Sequence, residues 1–346
     1  MMKACSYHFD ENNKNLHHLE KNIWSHTLKA YNLGLKNLVN TEVLWALLLH
    51  DIGRVYTRKT DAKKQHVSFG DFEGVSCFVA LHVLNKTDLT DEQKIKILKI
   101  ISYQYVIIDH IKYNNPSIET ITEKFLYEEE LLINLAQYVR CDLFSRIVDS
   151  TKQYLYDFQK SEESIYQIGK IKKNSKKISK KNNTVYILVG PPCSKKSSWT
   201  EKQKGEFIII CRDNYTQEIG NKYNKNTYDE AYKLMQNNKN VAQEVYDLEK
   251  KHETLAKKSK NQNIIIDNPN LDSKNRKEWI DACNKTHNIK VILFLTSLND
   301  LIRCSENRSN KINKSLDKDG YISKLKSFTF PLLNEGIDNI EYIFNL

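Results

Sequence analysis

The sequence predicts a two-domain chain: an all-helical domain followed by an α/β domain built on a parallel sheet. Three observations predict it. Across residues 16–165 apolar residues recur at three- and four-residue intervals, the spacing of one helix face. From residue 184 the texture changes to short β-branched runs, each followed by a polar loop and a helical stretch, as buried parallel strands covered on both faces require. Between them KIKKNSKKISKKNN, residues 170–183, breaks both patterns. The expected division is therefore 1–169, a linker over 170–183, and 184–346. A chain of 346 residues is longer than one hydrophobic core usually serves, which agrees.

The helical elements are expected in LHHLEKNIWSHTLKAYNLGLKNL, TEVLWALLLHD, DFEGVSCFVALHVL, DEQKIKILKIISYQYVII and YEEELLINLAQYVRCDLFSRIVDS, with no strand among them. The strands are expected in TVYILV, EFIIIC, NIIID and KVILFL. The charged segment 222–260 reads as a solvated pair of cover helices, with contact to substrate as the alternative.

Bulk properties narrow the setting. Hydrophobic residues make up 40% of the chain, enough for cores, yet no run approaches the length of a membrane span, so no membrane partner is expected. MMKACSYHFDENN has no apolar run ahead of its charges, so no secretory leader is expected. Seven cysteines without CxxC spacing favour reduced thiols and a cytoplasmic location. The net charge is +10, and a sizeable part of the excess lies in the lysine run. That run reads either as a solvated linker or as a nucleic-acid contact.

Four polar residues stand where a helical core expects apolar ones. LWALLLHDIGR ends an apolar helix with His50 and Asp51 before Gly53. Adjacent residues on a helix point about 100° apart, but at a terminus both side chains can turn to one ion. Ile23, His26, Ala30 and Leu33 form a stripe that faces His26 inward, and Leu135, Val139 and Asp142 do the same for a carboxylate. Imidazole and carboxylate together suit a divalent metal that activates water. Satisfied core polar groups are the alternative. His66 and His110 read as surface or core histidines, and His17 and His18 as a solvated face.

The order His…His-Asp…Asp resembles the signature of the HD phosphohydrolase superfamily, carried by WSHTLKAYNLG, LLHDIGR and YVRCDLFSR over most of residues 20–150. The resemblance implies that His26, His50, Asp51 and Asp142 hold a divalent transition metal such as Mn²⁺, Ni²⁺, Co²⁺ or Zn²⁺. Asp51 would then be catalytic, and Arg54 would stand near substrate phosphate. Two-metal members carry further histidines; the corresponding segments SFGDFEGVS and IISYQY offer Phe72 and Gln104, which argues for one metal.

In the second domain GPPCSKKSSW follows a β-branched run and precedes a helical stretch. This is the strand–loop–helix setting of the phosphate loop G-x-x-x-x-G-K-[ST], with Lys195 where the pattern has its second glycine. Gly190, Ser194, Lys195, Lys196, Ser197 and Ser198 would form an ATP cradle of backbone N–H groups at a helix N-terminus. Lys196 would bridge the β- and γ-phosphates and Ser197 would ligate Mg²⁺. A lysine-rich turn without ligand is the alternative. The usual glycine lets this loop take a conformation often closed to residues with a Cβ, so Lys195 would cost roughly 1–2 kcal/mol there.

CRDNY, DNPNL and the segment LNDLIRCSENRSNK follow the next strands. They put Arg212 and Asp213, then Asp267 and Asn268, at the carboxyl rim of the sheet, and Arg303 and Arg308 on a lid. This order resembles the P-loop 5′-hydroxyl polynucleotide kinases of phages and bacteria over about 184–325. The resemblance implies that Asp213 is the general base for a 5′-OH and that Arg308 contacts the transferring phosphoryl group. Thr216 stands where phage kinases have an arginine.

The two resemblances in this order match the bifunctional HD-Pnk family of end-healing enzymes. They imply RNA or DNA ends as substrate, ATP and Mg²⁺ in the kinase domain, removal of 2′,3′-cyclic or 2′/3′-phosphates in the HD domain, and a ligase as a downstream partner. The alternative reading is an HD nucleotidase acting on free nucleotides, with a degenerate P-loop domain that only binds nucleotide or nucleic-acid ends.

Overall fold

The computed structural model describes residues 1–152, 163, 166, 181–312 and 316–345, and the chain divides into two compact units. One comprises Met1–Lys176 with Ile322–Asn334, the other Lys177–Tyr321 with Glu335–Leu346. Of the linker expected over 170–183, residues 170–180 lie outside the described residues, as does most of 153–165.

The first unit is mainly helical: α1 (Ile23–Lys36), α2 (Thr41–Leu49), α3 (Arg54–Thr57), α4 (Glu73–Leu84), α5 (Asp91–Tyr103), α6 (Tyr105–Tyr113), α7 (Ile118–Lys124) and α8 (Glu129–Ser145). α1 buries Ile23, His26, Thr27 and Ala30, one face at helical spacing. It begins at Ile23 because Asn22 caps it, its side-chain oxygen accepting the Ser25 N–H at 2.9 Å, a contact worth about 1 kcal/mol. The periodicity that places residues 16–22 in this helix is overridden by that cap. Asn40, Ser117 and the Thr90–Gln93 capping box start α2, α7 and α5 in the same way.

Two expectations for this unit need correction. It is not all-helical: β1 (Arg58–Asp61) and β2 (His66–Phe69) form an antiparallel hairpin pairing Arg58 with Phe69 and Asp61 with His66. The hairpin buries only Val67, so it carries no alternating apolar signal. The domain division also differs. Ile322–Asn334, expected in the second domain, groups with the helical unit. There Phe328 packs edge-on against Phe78 with ring centroids 5.0 Å apart, and the Tyr103 hydroxyl donates to the Phe330 carbonyl.

The second unit carries a five-stranded parallel sheet of β3 (Asn183–Val189), β4 (Phe207–Ile210), β5 (Asn263–Ile266), β6 (His287–Thr296) and β7 (Asn339–Asn345), in the order β4-β5-β3-β6-β7. The four expected strands form; β7, a partly exposed edge strand paired to β6, is additional. The helices are α9 (Lys196–Glu201), α10 (Arg212–Lys222), α11 (Tyr228–Asn237), α12 (Lys239–Lys258), α13 (Ser273–Cys283), α14 (Leu298–Ile312) and α15 (Lys318–Leu325), the last crossing the division between units. Val185, Ile187, Leu188, Ile264, Ile265, Val291 and Ile292 are fully buried, as strands covered on both faces demand. From β3 the chain crosses to the β4 edge, returns through β5, then passes to β6 on the other side of β3. The strand order therefore reverses between β5 and β3, and ligands of open α/β sheets bind outside the carboxyl ends at such a point.

Candidate metal centre and phosphate-binding site

In the helical unit, α1 presents His26, the end of α2 presents His50 and Asp51, and α8 presents Asp142; each is at most 1% exposed. His26 Nε2 stands 2.8 Å from Asp142 Oδ1, and His50 Nε2 stands 3.4 Å from Asp51 Oδ2 and 3.5 Å from Asp142 Oδ1. The chain turns just beyond α2, which lets adjacent His50 and Asp51 face one point. Gly53 makes that turn fit, since a Cβ there would lie 2.5 Å from the Phe72 carbonyl oxygen. His50 Nδ1 is 2.8 Å from the Leu47 carbonyl, an acceptor that places the ring proton on Nδ1. Its Nε2 lone pair is then directed into the cluster, buried and without a hydrogen bond.

These residues fit a divalent cation. Donors held roughly 2.1 Å from one ion lie about 3.0–3.4 Å from each other, close to the separations of 2.8, 3.4 and 3.5 Å found. A buried, orphaned imidazole nitrogen is costly without such a partner. His26, His50 and Asp51 offer ligand atoms within 4.8 Å of one another.

The carboxylates are tied back. Arg54 Nε donates to the outer oxygen of Asp51, Oδ1, at 2.6 Å, and Tyr7 donates to Oδ2, the oxygen that faces His50, at 2.8 Å. Arg146 Nε donates to Asp142 Oδ2 at 3.1 Å. Burial alone would raise both carboxyls, but Arg54 beside Asp51 and Arg146 beside Asp142 hold them well below the usual range. Burial would likewise depress His26, yet Asp142 and Glu20 outweigh it and lift the imidazole to about 9. The Arg54 guanidinium also reaches the Tyr105 hydroxyl and lies 4.1 Å from the Phe72 ring centre and 5.3 Å from that of Phe69 on the hairpin. Gln104 donates to the His50 and Ile101 carbonyls at 3.2 and 3.0 Å and accepts from Tyr138 at 3.0 Å.

His66 is exposed and His110 is buried with Nδ1 2.9 Å from the Pro116 carbonyl, so neither joins the cluster. His18 departs from expectation. It is 4% exposed, stacked on Tyr7 at 4.2 Å, with Nδ1 3.5 Å from Glu20 Oε2. Tyr7 and Glu20 carry no helix periodicity that points at the site, and sequence reasoning misses them; it also misses Arg146, although that residue stands four positions after Asp142, at the spacing of one helix face.

In the second unit the β3–α9 loop closes as a cradle. Gly190 donates its N–H to the Pro269 carbonyl at 3.0 Å, and a Cβ there would meet Ser194 Oγ at 2.5 Å. Lys195 is exposed and has φ 66°, ψ 19°, the left-handed conformation that the usual glycine supplies. Lys196 is 9% exposed and donates to the Gly190 and Pro191 carbonyls at 2.8 and 2.9 Å. Burial pushes its ammonium down to about 8, against the opposing pull of Asp267 and Asp213. Burial raises the Asp267 carboxyl, which Lys196 and hydrogen bonds from Ser197 and Thr200 oppose. Lys196, Ser197 and Asp267 thus meet at the β3/β5 reversal. Ser194 is buried, its Oγ without a partner, while Ser198 is exposed.

Asp213 lies in the first turn of α10, exposed, within electrostatic reach of Lys196. Tyr228 of α11 donates to Asp213 Oδ1 at 2.8 Å, and α12 supplies buried Glu249, which accepts from Arg212 at 3.0 Å and Asn268 at 3.3 Å. These helices are therefore not the purely solvated cover expected. Arg308 sits within electrostatic reach of Tyr228 and, with Lys195, of Cys304. Arg303 is turned to Asp300 at 2.8 Å and is 73% exposed at its side chain. Thr216 is 2% exposed, with its hydroxyl on the Arg212 carbonyl at 2.9 Å, so it does not face the rim. Asn345, at the end of the unforeseen β7, donates to the Ser194 carbonyl at 2.9 Å.

A family model described as an AAA domain matches residues 185–320. The match covers β3 through α14 and supports a P-loop, ATP-binding and kinase-like unit that uses ATP with Mg²⁺. It does not reach the helical unit. A search of curated proteins finds no match. No described helix is long and apolar enough to cross a membrane.

Proposed function

We propose that the chain heals nucleic-acid ends: the helical unit is an HD-type phosphohydrolase acting on 2′,3′-cyclic or 2′/3′-phosphate ends, and the P-loop unit transfers the ATP γ-phosphate to a 5′-OH. The observation that carries this reading is convergence within each unit. His26, His50, Asp51 and Asp142 gather around one buried point, and Lys196, Ser197, Asp267 and Asp213 gather at one sheet rim.

In the helical unit a divalent ion, when bound, supplies a Lewis acid and lowers the pKa of water. His26, His50, Asp51 and Asp142 would hold it, while Arg54 and Arg146 keep the carboxylates ionised. In the P-loop unit the loop N–H groups and Lys196 would bind the phosphates, and Ser197 with Asp267 would hold Mg²⁺, which when bound offsets the phosphate charge. Asp213 accepts the 5′-OH proton as the new P–O5′ bond forms and the bond from γ-phosphorus to the β–γ bridging oxygen breaks. Tyr228 holds the Asp213 carboxylate in place, and Arg308 faces the charge that develops on the transferring group.

The test is to incubate the protein with an RNA bearing a 5′-OH and a 2′,3′-cyclic phosphate, ATP and a series of divalent ions, then to analyse both ends. Gain of a 5′-phosphate and loss of the cyclic phosphate are expected. Release of phosphate only from mononucleotides, with no 5′ transfer, would instead support a nucleotidase with a binding-only P-loop unit.

A further inference from the structure

The segment ahead of α1 packs against the metal centre through three side chains. Tyr7, His18 and Glu20 are 0%, 4% and 3% exposed, so these three are core. Tyr7 donates to Asp51 Oδ2, and its ring stacks on His18, which packs edge-on against His26 at 4.9 Å. Glu20 Oε1 accepts the Ile147 N–H at 2.8 Å, which anchors the carboxylate to the chain just beyond α8. The same oxygen faces His26 Nδ1 at 3.4 Å.

The two imidazoles of the centre share one orientation. His50 has Nδ1 hydrogen-bonded to the Leu47 carbonyl and Nε2 toward the centre; His26 has Nε2 toward the centre and Nδ1 facing the Glu20 carboxylate at 3.4 Å, a charge contact longer than a hydrogen bond. A histidine that ligates through one nitrogen generally donates its other N–H to a carboxylate or carbonyl, which fixes tautomer and ring orientation. We propose that Glu20 is the positioning residue for His26, holding its proton on Nδ1 so that Nε2 faces the ion, and that the segment ahead of α1 is the outer layer of the metal centre. This inference rests on the reading of the quartet as a cation site.

The same atoms allow one rival. His18 Nδ1, Glu20 Oε2 and His26 Nδ1 are buried without hydrogen bonds, and these three residues could ligate a cation themselves. Calorimetric titration of the metal-free, full-length protein with Mn²⁺ separates the cases. The wild type is expected to bind one ion per chain. Glu20→Gln, which keeps the shape and removes the charge, is expected to bind one ion about 10–100-fold more weakly, while the metal-free variant stays folded with a lowered melting temperature, since a buried charge partner of His26 is lost. Glu20→Asp is expected to fall between the two and serves if the glutamine variant does not fold. Unchanged affinity in folded Glu20→Gln overturns the proposal and leaves the quartet standing. Two ions per chain in the wild type and one in Glu20→Gln makes Glu20 a ligand and also overturns it. A wild type that binds no Mn²⁺, Co²⁺, Ni²⁺ or Zn²⁺ removes the underlying reading itself.

Discussion

The two candidate sites are built on opposite principles. In the helical unit every donor is a side chain, each nearly sealed from solvent, and the carboxylates already carry arginines on their outer oxygens. In the α/β unit the cradle is a loop at a helix N-terminus, and the carboxylate assigned to proton transfer is exposed. The first arrangement suits a small ion whose position is fixed before anything binds. The second suits a polyanion and leaves its rim open. Under the proposed function, this contrast lets one chain carry two phosphoester chemistries at separately built sites.

The largest expected effects break that contrast if it is wrong. Asp51→Asn removes a donor from the sealed centre and leaves the adjacent Arg54 charge unpaired. It should take 3′-end hydrolysis to background and cut Mn²⁺ affinity, while 5′ phosphorylation stays within about twofold. Asp213→Asn should lower 5′ transfer by about 10²–10⁴-fold, the range for a positioned acid or base, and leave cyclic-phosphate opening intact. End analysis on one RNA reads both. Loss of both activities by either folded variant would mean that the two sites do not act independently.

A smaller effect sharpens the electrostatic half of the comparison. Lys196 sits near pH 8 in the free protein because burial disfavours its charge. A bound triphosphate favours the charged form, so ATP binding must restore the proton above that pH. The affinity should therefore be steady below pH 8 and fall towards about tenfold per pH unit above it. Fluorescence titration with an ATP analogue between pH 7 and pH 9.5 checks this, and a flat profile would mean that Lys196 does not meet the phosphates.

How legible each site is in the sequence follows from the same contrast. His26 and Asp142 show through helical periodicity, because a polar residue on an apolar stripe is conspicuous, and His50-Asp51 through their place at the end of an apolar run. Tyr7 and Glu20 lie in an irregular segment whose inward turns have no period, so nothing local marks them. The P-loop, Asp213 and Asp267 show because each follows a β-branched strand, and the parallel order places all three ends on one rim. Tyr228 and Glu249 come from helices that read as charged cover. Their approach to the rim depends on how α11 and α12 pack on α10, which no local pattern states. The β1–β2 hairpin and β7 escape for a plainer reason: the hairpin buries one side chain fully, and β7 sits half-exposed at the sheet edge.

The smallest expected effect concerns Lys195. Its φ of 66° is one that a residue with a Cβ adopts at a cost of roughly 1–2 kcal/mol, so Lys195→Gly relieves strain in the fold. Glycine loses more chain entropy on folding, about 0.5–1 kcal/mol, and this offsets much of the gain. The loop already holds the required backbone shape, with Lys196 turned into the cradle and the Lys195 side chain in solvent. The substitution should therefore change thermal stability by at most about 1 kcal/mol and ATP affinity by less than about fivefold, equivalent to about 1 kcal/mol. Differential scanning calorimetry and ATP titration measure the two. A gain of two orders of magnitude in ATP affinity would show instead that the lysine side chain, not the backbone, obstructs the cradle.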